Sequence, residues 1–307
     1  MASTQDLKRR VRSISNTRKL TRAMELVASA RLRRAQQRIE SMRPYADRMT
    51  ELIAGTSKAA GAVRLPLLER RDAVARVGIV PVTGDRGLAG AFNAQVLRRS
   101  LALMREAQAE GQEVRFFTVG RKAASTIRFR RLPLAQAWTG FSDRPSYADA
   151  QAIAHAIADA YVSGEVDRVV LVYNSFVSPL VQRVTVAELL PVPAEALGRD
   201  GEEAEGEPEP APGHDAAGDH PTDFFFEPEP RNILERLLPV YVETQLYRAL
   251  LESAASFFGA QMTAMRNASK AAGELIDTLT LAMNRARQAE ITQEILEVVA
   301  GADALTG

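Results

Sequence analysis

Among residues whose types and spacing could do chemistry, VPVTGDRGLAGAFN (residues 80–93) comes first. An apolar run ends in a turn with Gly84, Gly87 and Gly90, and a helical pattern follows. Such strand-to-helix turns can cradle phosphate, because unpaired backbone N–H groups converge at the helix N-terminus. A dinucleotide fingerprint, however, needs G-x-G-x-x-G and an acidic residue about 20 positions on. Here the spacing is G-x-x-G-x-x-G, and that distance ends in SLALMREAQAEG, a helical stretch. A P-loop needs Gly-Lys-Ser/Thr, which is missing. The turn therefore reads as a tight corner rather than a cofactor loop. Other chemistry has little to work with. There is no cysteine, which removes disulfides, thiolate metal sites and cysteine nucleophiles. The three histidines are His155, His214 and His220, the last two in an acidic low-complexity stretch, so no histidine metal cage is expected. No cofactor, metal or small-molecule ligand is expected.

The elements that flank this corner are unusual. From Leu7, apolar or small residues recur at steps of three and four: Val11, Ile14, Thr17, Leu20, Met24, Val27, Leu32, Ala35 and on to Ile53. That spacing predicts an amphipathic helix far longer than usual, with a kink near Arg43 where Pro44 removes a ladder bond. The C-terminal part repeats the rhythm from Val242 through Leu246, Ala249, Phe257, Ala264, Ala271, Leu275, Ala282 and Ala289 to Val299. A single helix over 240–300 would be about 90 Å long, too long for a compact domain to bury. Its seam is rich in Ala, Ser and Thr, which suits close pairing with the N-terminal helix as a coiled coil. An antiparallel pair follows, and residues 20–27 are expected to pack near 275–289.

Between the helices, strand-like runs at 75–82, 114–119, 168–173 and 182–189 alternate with helical stretches at 91–109 and 147–162. That alternation predicts a small Rossmann-like α/β head with a partly parallel sheet. Trp138 is expected to pack within it. Residues 198–222 are rich in Glu, Pro, Gly and Ala and read as a disordered loop. The expected division is an N-terminal shaft helix (1–60), the head (72–195), an acidic loop and foot (196–230) and a C-terminal shaft helix (231–307). Net charge is +1 but unevenly spread. Residues 1–50 carry 13 Lys and Arg against 4 Asp and Glu, and 195–230 carry 12 acids against one Arg. Such polarity points to different partners at different ends. No run is apolar and long enough for a spanning helix, and the polar, basic start has no signal-peptide character.

With two long terminal helices around an α/β head, the chain resembles the gamma subunit of the bacterial F-type ATP synthase, the central rotor shaft. NTRKLTRAMELVASARLRRAQ resembles the family's N-terminal signature helix, and TGDRGLAGAFN its conserved loop. NRARQAEITQEILEVVAGADAL (284–305) resembles its C-terminal signature, and FEPEP (226–230) the segment before the last helix. Two departures are Ala89, where the family often has cysteine, and the length of the acidic insertion.

The resemblance implies a non-catalytic subunit that carries ion-driven rotation of a c ring to the catalytic sites of an alpha/beta hexamer. Its partners would be three alpha and three beta subunits, an epsilon subunit and the c ring, with one copy per complex at the cytoplasmic face of the plasma membrane. Arg287, Gln288, Thr292 and Glu294 fall at the family's catch positions against a beta-subunit loop. Lys8, Arg9, Arg10, Arg12 and Met24 match the region facing the acidic beta lever, although Met24 also fits the apolar seam. Phe224, Phe226 and Glu227 fall at the foot that meets the c ring and epsilon subunit, with a hydrophobic plug of the head as the competing role. A basic coiled coil bound to nucleic acid is the alternative reading. It is weakened because residues 1–40 hold no aromatics to interleave with the cations.

Overall fold

The structure is a computed structural model that describes residues 3–60, 65–71, 73–194 and 229–306. The foot residues Phe224, Phe226 and Glu227 and the acidic stretch 198–222 lie outside the described residues.

Two helices dominate. Helix α1 spans Thr4–Ala60 and runs through Pro44, and the last helix, α5, spans Pro230–Thr306 and runs through Pro239. Ser3 caps α1, its hydroxyl accepting from Asp6 N–H at 3.2 Å. At 77 residues, α5 is about 115 Å long. It begins ten residues before the apolar rhythm becomes readable at Val240.

The chain between them forms β1 (Arg76–Pro81), α2 (Phe92–Ala109), β2 (Glu113–Val119), α3 (Arg121–Phe129), β3 (Leu134–Trp138), α4 (Tyr147–Val162), β4 (Arg168–Phe176) and β5 (Gln182–Leu190). The sheet order is β3-β2-β1-β4-β5, parallel except for β5, which pairs antiparallel with β4. β3 and α3 escape the sequence reading. β3 is a half-exposed edge strand without alternation, and α3 is short with basic residues at both ends. Trp138 ends β3 and packs, half-buried, against the core.

Successive side chains of each strand feed opposite faces of the sheet. Val77, Ile79, Val114, Phe116 and Val172 meet α2 and α3 through Val96 and Ile127. Val80, Val82, Phe117, Val169 and Leu171 meet α4 and the lower part of α5, where Leu234, Leu238 and Leu246 are buried. Met49 and Ile53 of α1 join the same core, so the head and both shaft helices share one interior. Higher up, Ala28, Leu32 and Ala35 of α1 pack on Phe257, Phe258 and Met262 of α5, closed by Phe92 from the head. Above that level α1 continues to pack along α5, as the Arg266–Glu25 contact shows.

The helices are antiparallel, but the seam is not the one the apolar spacing suggests. Leu20 and Val27 are 57% and 52% exposed, while Thr21, Glu25 and Ala28 point inward. On α5, Leu275 is exposed, and Ala272, Ile276, Leu279 and Met283 turn toward the partner. Counting apolar types skips a seam position that is charged. Glu25 receives Arg266 at 3.0 Å, and the backbone at Gly273 faces the Arg18 guanidinium. With Thr4 beside Glu290, residues 275–289 lie opposite the stretch between Thr4 and Arg18, not opposite 20–27.

Candidate functional site

The glycine corner shows how the fold fills its own anion position. Gly84 N–H donates to Asn93 Oδ1 at 2.8 Å and Asp85 N–H to Ser142 Oγ at 2.7 Å. The Asp85 carboxylate accepts from Arg121 N–H at the start of α3 (2.9 Å), from Gly140 N–H (2.9 Å) and from Ser142 N–H (3.1 Å) and Oγ (2.8 Å). Burial works to raise the Asp85 pKa, but these donors override it and hold the carboxyl below its ordinary value. An anionic ligand would meet a resident carboxylate where it needs donors. The corner is structural, a turn that ties β1, α3 and the loop after β3 together.

A second carboxylate braces the opposite end of the sheet. Asp167 accepts from the backbone N–H of Ala75 (3.1 Å) and Arg76 (2.8 Å) and from the Arg71 guanidinium. Despite burial, those bonds keep its pKa low. A third lies between head and shaft. Glu243 of α5 is buried and accepts Tyr147 O–H at 2.7 Å, with His155 Nε2 at 2.9 Å and Gln151 Nε2 at 3.4 Å. These clusters knit elements together. Among the described residues no group of three or more His, Asp or Glu is placed to hold a metal.

The contact residues named from the sequence lie along the shaft. α1 reaches level with Glu290, where Thr4 N–H meets Glu290 Oε1 at 3.4 Å. Residues 291–306 of α5 extend beyond it as a single helix of about 24 Å. Arg287, Gln288, Ile291, Glu294 and Ile295 share one face of this end. All five are exposed, and among the described residues Arg287, Gln288 and Glu294 make no side-chain hydrogen bond or ion pair. Thr292 is also exposed, but its hydroxyl donates back to Gln288 O at 2.9 Å. The upper shaft is thus a polar face with Ile291 and Ile295 set into it.

At the start of α1, Lys8, Arg9, Arg10 and Arg12 are exposed and have no carboxylate within 4.0 Å among the described residues. Met24 is half-buried between Thr21 and Ala28, at the margin of the seam. Sequence reasoning missed Glu25, although the one acid between Lys8 and Arg38 was the available signal. Its carboxyl is held below the ordinary value by the hydrogen bond from Arg266, which outweighs burial, and by Arg22 at 2.8 Å.

Comparisons with known proteins agree with this architecture. Residues 3–305 match the family model described as ATP synthase. A protein of Rubrobacter xylanophilus named ATP synthase gamma chain is 46% identical over 305 residues, covering 99% of both chains. One of the same name from Synechococcus is 45% identical, covering 99% of this chain and all of its own. Among solved structures, the central stalk and c ring of the Tetrahymena thermophila mitochondrial ATP synthase matches with a TM-score of 0.56 and 26% identity, over 81% of this chain and 99% of that one. A chain from the Euglena gracilis mitochondrial ATP synthase shares the fold with a TM-score of 0.68 at 18% identity, over 98% and 94% of the two chains. Among the described residues no helix is long and apolar enough to cross a membrane. Nothing in these likenesses favours a nucleic-acid binder. The chain belongs to the ATP synthase gamma-chain family, the non-catalytic central-stalk subunit of that membrane-associated complex.

Proposed function

We propose that this chain turns as a rigid shaft inside a ring of three alpha and three beta subunits, one copy per complex. It carries ion-driven rotation of a c ring to the catalytic sites, or the reverse during ATP hydrolysis. Chains of the same fold occur in a central stalk with its c ring and in Euglena gracilis complexes captured in rotational states 3 and 1. The observation that carries the reading is the upper end of α5, which outruns α1 and presents Arg287, Gln288 and Glu294 without side-chain partners among the described residues. A surface with few strong contacts can be exchanged from one ring subunit to the next, because each exposed pair is worth only about 0–1 kcal/mol. In this reading Arg287, Gln288, Thr292 and Glu294 take a beta-subunit loop at one rotary position. Lys8, Arg9, Arg10, Arg12 and Met24 face the acidic beta levers. Phe224, Phe226 and Glu227 belong to the foot against the c ring and epsilon subunit. The four-part division into helix 1–60, head 72–195, acidic loop and foot 196–230, and helix 231–307 follows the same logic. The complex would sit at the cytoplasmic face of the plasma membrane.

The test is the double variant Arg287→Ala/Gln288→Ala in the assembled complex. ATP turnover should fall several-fold while the complex still assembles, because neither side chain leaves a cavity. Wild-type turnover would remove both residues from the list of working contacts.

A further inference from the structure

Midway along the shaft, α1, α5 and the turn before α4 enclose a cleft of about 350 Å³. One wall is a single face of α1 carrying Arg31, Arg34 and Arg38; the opposite wall is Asp143 and Arg144; Phe258 lies in the floor. Four guanidinium groups thus meet one carboxylate. Arg31 is already engaged, 3.4 Å from Asp143 Oδ2 and with its Cζ 5.8 Å from the Phe258 ring centre. Asp143 is drawn further by Arg86 at 3.8 Å. Arg34, Arg38 and Arg144 have no carboxylate within 4.0 Å among the described residues. Like charges one and two turns apart on a helix repel. Here they are held around a concavity whose one lining carboxylate, Asp143, is shared by Arg31 and Arg86 through Oδ2, while its buried Oδ1 has no hydrogen-bond partner among the described residues.

We propose that this cleft binds a polyphosphate, either free or as the tail of a nucleoside triphosphate. Three features select that ligand. Planar guanidinium forks match phosphate oxygens two at a time, which ammonium groups do not. From Arg31 to Arg38 the helix rises about 10 Å, the span of linked phosphates rather than of one. The cleft also has the volume of a small-ligand site, about 300 Å³ or more, and draws its lining from α1, α5 and the turn before α4. The resident Asp143 opposes any anion, but it is already held by Arg31 and Arg86, which leaves Arg34, Arg38 and Arg144 for the incoming phosphates. A bound polyphosphate would bridge α1 to the turn at residues 143–144, tying head to shaft. None of this depends on the rotor reading.

The experiment is calorimetric titration of the purified full-length chain with tripolyphosphate, ATP and adenosine at fixed ionic strength. Tripolyphosphate should bind saturably at one site, and Arg34→Gln/Arg38→Gln should weaken it at least tenfold. Arg144→Gln alone, in a turn outside both long helices, should weaken it several-fold and covers the case in which the double variant misfolds. Arg128→Gln/Arg130→Gln, at the far end of the head, should leave binding unchanged. If ATP binds like tripolyphosphate and adenosine does not, the ligand is a nucleotide tail; if only tripolyphosphate binds, it is the free polyanion. No saturable binding, or equal weakening by the Arg128/Arg130 variant, would overturn the proposal.

Discussion

Arg266 Nε lies 3.0 Å from Glu25 Oε1, although the two residues are 241 positions apart. The Glu25 side chain is 7% exposed and also takes Arg22 at 2.8 Å. This one contact sets the register of the shaft. In an Ala-rich seam, where many sliding positions pack almost equally well, a buried charge with one matching partner on the facing helix distinguishes one of them.

Replacing Arg266 by Met should therefore cost more than replacing Glu25 by Gln. The first leaves a buried carboxylate with half its partners, at a cost of about 2–3 kcal/mol. The second leaves two largely exposed guanidinium groups that water can re-solvate, at about 1 kcal/mol. Urea unfolding of the full-length chain measures both, and the opposite ranking would remove Glu25 as the register determinant.

The same pair has a pH signature. The folded pKa of Glu25 is depressed, so its stabilisation is present above the ordinary carboxylate range and is lost as pH falls through the folded value. Wild type should be more stable than Glu25→Gln near neutrality, and the gap should close on acidification below about pH 4. A gap that stays constant across that range would mean that the charge on Glu25 contributes nothing.

At the glycine corner, the least replaceable residue is Gly120. Its φ is +91°, and a Cβ there would fall 2.0 Å from the carbonyl oxygen of Thr83. Backbone, not a flexible side chain, stands in the way, so Gly120→Ala should cost about 3 kcal/mol or more. Asp85→Ala should cost about 2–3 kcal/mol, because it leaves the donors of Arg121, Gly140 and Ser142 without their acceptor. Thermal melts that show either variant within 0.5 °C of wild type, roughly the noise of the method, would contradict this role.

Between head and shaft, Tyr147→Phe removes the hydroxyl that gives Glu243 its shortest hydrogen bond, 2.7 Å. Burial and the neighbouring carboxylate push that phenol well above its ordinary pKa, so it stays a donor at any working pH. The variant should lose about 1–2 kcal/mol. His155 and Gln151 still reach Glu243, so the head should remain docked. Denaturant curves check the loss, and limited proteolysis of the folded variant checks the docking.

Much of this molecule is legible in its residues, and the gaps have physical causes. Long-range periodicity exposes both shaft helices, since no core could bury an amphipathic stripe of that length. The buried strands β1, β2 and β4 read as apolar runs because both their faces are covered. β3 does not, because it is a half-exposed edge, and α3 lacks a capping side chain. The seam register is misjudged at Leu20, Val27 and Leu275 because apolarity marks what can be buried, while the partner's position decides what is. Arg287, Gln288 and Glu294 are conspicuous only through likeness to a family, since an exposed polar helix face carries no periodic signal of its own. The arginine cleft is invisible in the sequence, as Arg144 and Arg38 come together only through the fold.

The most direct test of the rotor reading uses the absence of cysteine from the chain. Phe129 lies at the end of α3 and is 89% exposed, so Phe129→Cys provides a unique attachment point on the head without disturbing the core. A bead attached there, in a complex fixed to a surface through its beta subunits, reports the angle of the shaft during ATP hydrolysis. The expected result is sustained rotation in one direction that stops when ATP is exhausted. A bead that holds its angle while the same complexes turn over ATP would contradict the shaft reading outright.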